Sequence, residues 1–313
     1  MSIVAQLLFN NLETLASVHM RITQVFFATI LIMRFEKMHA AGNDYIYVNL
    51  FEEKVDDFAS LSRQLSNRNF GVGSDGLVLI GPSDIGDFFM HMFNADGSEG
   101  MMCGNAARCV GKYVYERGLT NKTEIELETR SGLKHLSLKV NKHNNKVGLV
   151  KVNMGRAVLY SDSKDDNEFF QLSLNRMIDY PVQLEEHKYR ITFVSMGNPH
   201  AVIFMNDISN MDIKNIGCKI EHLEHFPERT NVEFVEVVSS KQLNVRVWER
   251  GSGETLACGS GACAAVVAGA VTGRCKPKAS VKLKGGTLEV DWDKNADRVY
   301  LTGDAQFVFK GEL

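Results

Sequence analysis

The chain has 313 residues, of which 44% are hydrophobic and 23% charged, and a formal net charge of −3. That length accommodates two ordinary domains, and the near-neutral balance with no lysine or arginine run excludes the electrostatics of nucleic-acid or anionic-membrane binding. Six cysteines, none in a C-x-x-C pair, argue against a structural zinc site and fit a reducing, cytoplasmic compartment.

The first 33 residues stand apart. Val25 to Met33 is apolar, but Arg21 and Gln24 interrupt the segment, and the run is far short of the roughly 20 residues that span a bilayer. No basic start and no small-residue cleavage site mark a secretory signal. The expected reading is an upstream start codon with Met33 as the natural initiator; a genuine extension packed on the surface is the other reading.

From Arg34 onward the pattern is of short strands punctuated by glycine and asparagine. Strands are expected at Tyr45 to Asn49, Leu77 to Ile80, Phe88 to Phe93, Glu124 to Thr129 and Leu133 to Val140. A helix follows Cys103, with Ala106, Ala107, Val110 and Val114 at helical spacing, and stops at Gly118. Ser161 to Asn167, polar and charge-rich, is expected as a surface loop near a domain junction. Strands follow at Tyr189 to Val194, Ala201 to Phe204, Val232 to Val238 and Leu243 to Trp248. A small-residue helix then runs from roughly Gly261 to Val271 and ends near Gly273.

The two halves share local sequence. GSEGMMCGNAA from Gly97 and GSGETLACGSGA from Gly251 each place a glutamate (Glu99, Glu254) four residues before a cysteine. In both, Cys-Gly-polar leads into an alanine-rich helix. The cysteines lie roughly 155 residues apart, about one domain, so the similarity predicts a duplication: two pseudo-equivalent α+β domains facing each other.

Cys103 and Cys258 are both expected at the N-terminal lip of a helix, where unpaired N–H groups and the macrodipole favour a thiolate. The glycine after each lets a carboxylate approach the backbone donors of residues 104–105 and 259–260. Those donors would also stabilise the enediolate-like charge left when an α-proton departs. There is no G-x-x-x-x-G-K-[ST] and no strand-borne G-x-G-x-x-G; Gly71-Val-Gly73 and Gly259-Ser-Gly261 are fragments only. No cofactor is therefore expected. The simplest cofactor-free device for inverting a carbon centre is a thiolate on one face and a thiol on the other, titrating as a coupled pair. A single cysteine beside an alanine-rich helix is ordinarily a buried small residue, and only the matched contexts of two change that reading. Cys109 and Cys263 are expected in the core, and Cys218 and Cys275 have no assigned role. A disulfide between Cys103 and Cys258 under oxidation is a further consequence of two thiols sharing one substrate.

The first half carries the blocks Lys37-Met-His-Ala-Ala-Gly-Asn-Asp44, Asn94-Ala-Asp-Gly-Ser-Glu99 and Cys103-Gly-Asn-Ala-Ala-Arg108. The second carries Ser195-Met-Gly-Asn-Pro-His200, Pro227-Glu-Arg-Thr-Asn231, Trp248-Glu-Arg-Gly-Ser-Gly-Glu-Thr255 and Ala257-Cys-Gly-Ser-Gly-Ala-Cys263. In the order and spacing of these blocks the sequence resembles the diaminopimelate epimerase family over nearly all of Arg34 to Leu313. The resemblance has consequences for activity, fold and site. It implies an isomerase that interconverts LL- and meso-2,6-diaminopimelate without pyridoxal phosphate, a step toward lysine and peptidoglycan. The implied α+β fold has two pseudo-symmetric domains, each a barrel-like, mostly antiparallel sheet around a central helix, with the active site in the cleft between them. The domains are expected at 34–151 plus 303–313 and at 152–302, with 1–33 as an N-terminal extension. The resemblance makes Cys103 and Cys258 catalytic. It makes Asn43, Asn94, Asn198, Asn231, Glu249 and Arg250 substrate-binding, and Gly104, Asn105, Gly259 and Ser260 the helix-end donors to the reacting carboxylate. It also implies a homodimer, with a small molecule as the only other partner.

The residue chemistry agrees with those roles. Arg250 offers a bidentate fork to the distal carboxylate, and asparagine amides fix its orientation. Glu249 is open between meeting the distal ammonium and tuning a cysteine. His200 is open between an auxiliary base and a structural hydrogen-bonder. Taken singly, Asn94, Asn198 and Asn231 also read as turn-forming asparagines. Two departures stand out: some family members carry a glutamine where this chain has Gly76, and Cys-Gly-Asn-Gly-Ala-Arg reads Cys-Gly-Asn-Ala-Ala-Arg here. The rivals are a two-cysteine proline or hydroxyproline racemase, which has little use for Arg250 with three asparagines, a thiol-exchange protein, which needs a nearby resolving cysteine, and an amino-acid-binding module, which needs no paired cysteines.

Overall fold

The computed structural model describes residues 33–159 and 177–313. The readings made on residues 1–32 and on Ser161 to Asn167 lie outside the described residues. Phe35–Gly311 forms one unit. Of a second, which takes the ends of the chain, Met33, Arg34, Glu312 and Leu313 are described. There Met33 and Leu313 exchange backbone hydrogen bonds of 3.1 and 2.9 Å.

The strands, in chain order, begin with β1 (Arg34–Ala40), β2 (Asn43–Asn49), β3 (Gly76–Gly81), β4 (Phe88–Asn94), β5 (Glu99–Gly100), β6 (Glu124–Thr129), β7 (Gly132–Asn141) and β8 (Lys146–Gly155). They continue with β9 (Tyr180–Leu184), β10 (His187–Ser195), β11 (Pro199–Met205), β12 (Asn231–Ser239), β13 (Gln242–Glu249) and β14 (Gly253–Thr255). The last are β15 (Lys278–Leu283), β16 (Gly286–Asp293), β17 (Arg298–Gly303) and β18 (Gln306–Glu312). Among the described residues the helices are α1 (Phe58–Ser66), α2 (Gly104–Glu116), α3 (Ile213–Glu221) and α4 (Gly259–Val271).

Strand pairing reveals the duplication. One series runs β18–β1–β2–β3–β4–β6–β7–β8 with β5 hung on β4. The other runs β9–β10–β11–β12–β13–β15–β16–β17 with β14 hung on β13. The parallel pairs fall at equivalent places, β2–β3 and β4–β6 in the first, β11–β12 and β13–β15 in the second. Every other pair with a printed register is antiparallel, as expected. A parallel pair needs a crossover, and the helices supply it: α1 and α3 cross the first parallel pair of each series, α2 and α4 the second. The series meet where β8 pairs antiparallel with β17, Lys151 opposite Thr302.

The chemistry of α2 and α4 suits a central place. In α4 the sequence GSGACAAVVAGAV is small and apolar on every side, which lets strands approach from all round, and Gly259 and Gly261 through Gly269 are buried. In α2 every residue from Gly104 to Val114 is buried, including Arg108 and Lys112. One core contains Val110, Val114, Val150 and Val152 from the first half and Ala264, Val267, Val281 and Leu301 from the second. A smaller core gathers Ile191, Ile203, Ile213, Ile220 and Phe234 under α3.

Candidate active site

Both cysteines sit where the spacing places them. Cys103 is the N-cap of α2 and Cys258 the N-cap of α4, each in extended backbone (φ −132°, ψ 121° and φ −112°, ψ 115°). The helix after Cys258 starts at Gly259, two residues earlier than its apolar pattern suggests. The glycine at each helix start has a packing reason besides access to a carboxylate. A Cβ on Gly104 would lie 3.2 Å from Leu301 Cδ2, and one on Gly259 would lie 2.9 Å from the same atom. The two helix starts therefore converge on Leu301.

A cleft of about 1000 Å³ opens in this region, and Asn43, Asn94, Asn198, Asn231, Glu249 and Arg250 all line it. These are the six side chains that the family resemblance implies for substrate binding. Cys103 Sγ lies 3.4 Å from Asn43 Oδ1, and Cys258 directly follows Ala257, another residue of the cleft wall. Asn105 Nδ2 donates to Asn43 Oδ1 (3.2 Å) and to the Ala257 carbonyl (3.3 Å). Ser260 Oγ accepts from Asn198 Nδ2 (3.3 Å) and lies 3.5 Å from Cys258 Sγ. The backbone N–H of Gly261 donates to Cys258 Sγ at 3.4 Å.

Asn231 anchors the far wall. Its Nδ2 donates to the Pro199 carbonyl (2.9 Å), and its Oδ1 accepts from the Arg250 N–H (3.0 Å). The Arg250 side chain is exposed, with Nη1 donating to the Glu228 carbonyl (2.9 Å). Asn94 lines the cleft and also serves a turn, its Nδ2 donating to Ser98 Oγ at 2.9 Å.

Burial pushes the Cys103 thiol above its ordinary value; the N–H groups of Ala106 and Asn105 pull it back, Glu249 pushes it further and Arg108 lowers it. Burial pushes Cys258 well above its ordinary value, with the carboxylates of Glu249 and Glu233 adding to the rise and Ser260 and the Gly261 N–H opposing it. The helix ends do favour the thiolates as expected, but desolvation outweighs them. Glu249 is itself raised by burial, opposed by contacts with Thr255 and Cys258. Its Oε1 accepts from Thr255 Oγ1 at 2.5 Å, and the residue lines the cleft, so both of its readings stay open.

His200 is fully buried, with Nδ1 2.7 Å from Glu233 Oε1 and Nε2 3.0 Å from Asn198 Oδ1. It contacts the cleft wall through Asn198. Glu99 and Glu254, matched in the repeat, serve ion pairs: Glu99 with Arg130 (3.2 Å), Glu254 with Arg246 (2.8 Å) and Lys284 (2.7 Å). Gly76 leaves no room for a side chain, since a Cβ there would fall 2.1 Å from the Phe93 carbonyl oxygen.

Sequence reasoning missed four groups here. Asp75 lines the cleft and accepts from Asn43 Nδ2 at 2.6 Å. Arg68, also in the wall, bridges Asp44 (2.8 Å) and Asp75 (2.9 Å). Glu233 is the buried partner of His200. Arg108 Nη2 donates to Asn105 Oδ1 (2.8 Å), and its Nε to the Asp304 carbonyl (3.2 Å). Arg108 closes one of the quoted blocks and Glu233 lies two residues beyond another, so proximity to those blocks was the available signal for these two. All six cysteines are free thiols, with Cys109, Cys263 and Cys275 buried and Cys218 exposed. Among the described residues no group of histidines, cysteines and carboxylates gathers as a metal site, and no helix is long and apolar enough to cross a membrane.

Solved structures share this architecture. A PhzF-family phenazine biosynthesis protein from Bacillus anthracis superposes with a TM-score of 0.63 at 16% identity, covering 90% of this chain and 99% of its own. A hydroxyproline epimerase from Agrobacterium vitis, with bound trans-4-hydroxy-L-proline, gives 0.62 at 15% identity, covering 90% and 92%. The fold is thus the two-domain fold of the PhzF and proline racemase type. Sequence narrows the class further. A family model described as diaminopimelate epimerase matches residues 35–160 and 192–308. The diaminopimelate epimerase of Acetivibrio thermocellus is 51% identical over 284 residues, covering 90% of this chain and 98% of its own. That of Methanococcus maripaludis is 47% identical over 281 residues, covering 90% and 99%. The chain belongs to the diaminopimelate epimerase family and is an isomerase.

Proposed function

We propose that this chain interconverts LL- and meso-2,6-diaminopimelate by proton transfer between Cys103 and Cys258. In one direction the thiolate of one cysteine takes the α-proton, and the thiol of the other delivers its proton to the opposite face of the same carbon. The enzyme is left with the two protonation states exchanged, ready for the reverse reaction. Charge that builds on the reacting carboxylate is met by the N–H groups of Gly104, Asn105, Gly259 and Ser260. The distal carboxylate pairs with Arg250, and Asn43, Asn94, Asn198 and Asn231 orient the rest of the substrate. The observation that carries this reading is the convergence of all six expected substrate side chains on one cleft, with both helix-capping cysteines beside it.

The domain limits at 34–151 plus 303–313 and 152–302 belong to the same proposal, supported by the two strand series, although the first series keeps β8 to Gly155. So do a cytoplasmic setting, supported by six free thiols, a homodimer, supported by the family resemblance alone, and a place in lysine and peptidoglycan precursor synthesis. Incubation with LL-diaminopimelate in D₂O, without added cofactor, tests the reaction. Deuterium entering the α-position alongside meso product is the expected result. No exchange from folded, reduced protein would overturn the substrate assignment.

A further inference from the structure

Glu233 takes no part in the proposed proton transfer, yet it is wholly buried, and its Oε2 has no hydrogen-bond partner. A carboxyl group left half-partnered out of water costs free energy, so its position calls for a physical reason. It packs against the first turn of α4: a Cβ on Gly261 would lie 2.6 Å from Glu233 Oε1 and 3.2 Å from Cys258 Cβ. Glycine at position 261 is thus what lets the carboxylate lie under the helix start that carries the thiol.

From Glu233 a chain of contacts leads to the sulfur. Oε1 meets His200 Nδ1 at 2.7 Å, and His200 Nε2 meets Asn198 Oδ1 at 3.0 Å. Asn198 Nδ2 donates to Ser260 Oγ at 3.3 Å, and that hydroxyl lies 3.5 Å from Cys258 Sγ. The imidazole, the amide and the hydroxyl each bridge two neighbours, so the place of the first link constrains the place of the last. Cys103 has a different partner, Asn43. The ionisable groups facing Cys258 and this chain are Glu249 on β13, Glu233 on β12 and His200 on β11.

We propose that Glu233 is a positioning residue for Cys258, holding His200, Asn198 and Ser260 in the one arrangement that presents the second sulfur to the cleft. The inference rests on Cys258 being one of the two proton-transfer groups. The carboxylate beside the sulfur also disfavours its thiolate.

Two variants of the full chain separate reach from charge. Glu233→Asp keeps the charge but withdraws it by one methylene from His200. Its kcat from LL-diaminopimelate should fall by roughly ten- to a hundredfold, with KM changing less than about twofold. Glu233→Gln keeps the length and removes the charge. In the substrate-free protein, alkylation of Cys258 by iodoacetamide, resolved by peptide mass, should begin at lower pH, while the profile of Cys103 stays in place. Wild-type kcat in Glu233→Asp, together with an unmoved Cys258 profile in Glu233→Gln, overturns the proposal; if the glutamine variant does not fold, wild-type kcat in the aspartate variant suffices. The alkylation profile is read without turnover, so failure of the catalytic reading, seen as full activity in Cys258→Ser, is distinguishable from failure of this one.

Discussion

The side-chain amide of Asn105 donates to the main-chain carbonyl of Ala257 at 3.3 Å. The second residue of α2 is thereby tied to the residue before Cys258, so the lips of both central helices are held by one side chain. Asn105 is in turn fixed by Arg108 and supports Asn43, the neighbour of Cys103.

Asn105→Ala should therefore affect both halves of the site at once. It leaves the buried Ala257 carbonyl and the buried Arg108 guanidinium each short of a partner, a loss of about 1–3 kcal/mol for each buried group left unsatisfied, and removes a donor from Asn43 in the cleft wall. Urea denaturation should show a lowered midpoint with unchanged slope, and kcat should drop together with it. A variant as stable and as active as the parent would show that the tie contributes nothing.

Arg250→Lys addresses substrate capture. The guanidinium stands exposed at the cleft wall, poised for a carboxylate, and a lysine replaces its fork with a single point charge. Loss of one charge-assisted hydrogen bond of about 1.5–3 kcal/mol should raise KM by roughly ten- to a hundredfold. An unchanged KM for diaminopimelate would remove Arg250 from the binding set.

The proton-transfer reading requires one thiolate and one thiol, so the pH profile carries a sign. At low pH both cysteines are protonated and no base exists; activity rises as the first proton leaves and falls as the second does. Burial pushes both thiols upward, with Glu249 raising both and Glu233 adding to the rise at Cys258. The bell in kcat/KM, which reports free-enzyme groups, should thus peak on the alkaline side of neutrality. Steady-state rates from about pH 6 to about pH 10 would check this, and an optimum in acid would contradict it.

What was legible in the sequence was the part written in local pattern. Cysteine, glycine and an alanine-rich run announce a helix start, and the alternation of β12 and β13 announces strands. Glu233 was hidden because it sits between Val232 and Phe234, where alternation reads a polar residue as outward. The beginning of β12 is buried on both faces, so the pattern points the wrong way there. Arg108 reads as the solvent side of α2 for the same reason, since nothing local reveals that strands surround the helix. The helices α1 and α3 had a visible signal, an aspartate N-cap, with Asp57 accepting from Ser60 N–H and Asp212 from Asn215 N–H. Their nine-residue lengths give the apolar period little room to show itself.

The remaining buried thiols make a prediction about stability. Burial pushes Cys109 and Cys263 up to about 12 and Cys275 up to about 11, against an ordinary value of 9.0. Burial also pushes the Tyr47 phenol well above its usual range. Each folded-state value lies above the unfolded one, so the unfolded chain gives up these protons first as pH rises. Stability from these groups is complete below about pH 9 and is lost progressively as pH climbs through the folded values near 11 and 12. Urea midpoints should hold near pH 8 and decline steeply by about pH 11. Cys263→Ala removes one of the titrating groups while keeping a small apolar side chain between the strands that surround α4. Its midpoint should start lower, from the lost packing, and decline less steeply with pH than that of the parent. Parallel declines in the two proteins would mean that Cys263 deprotonation does not limit alkaline stability.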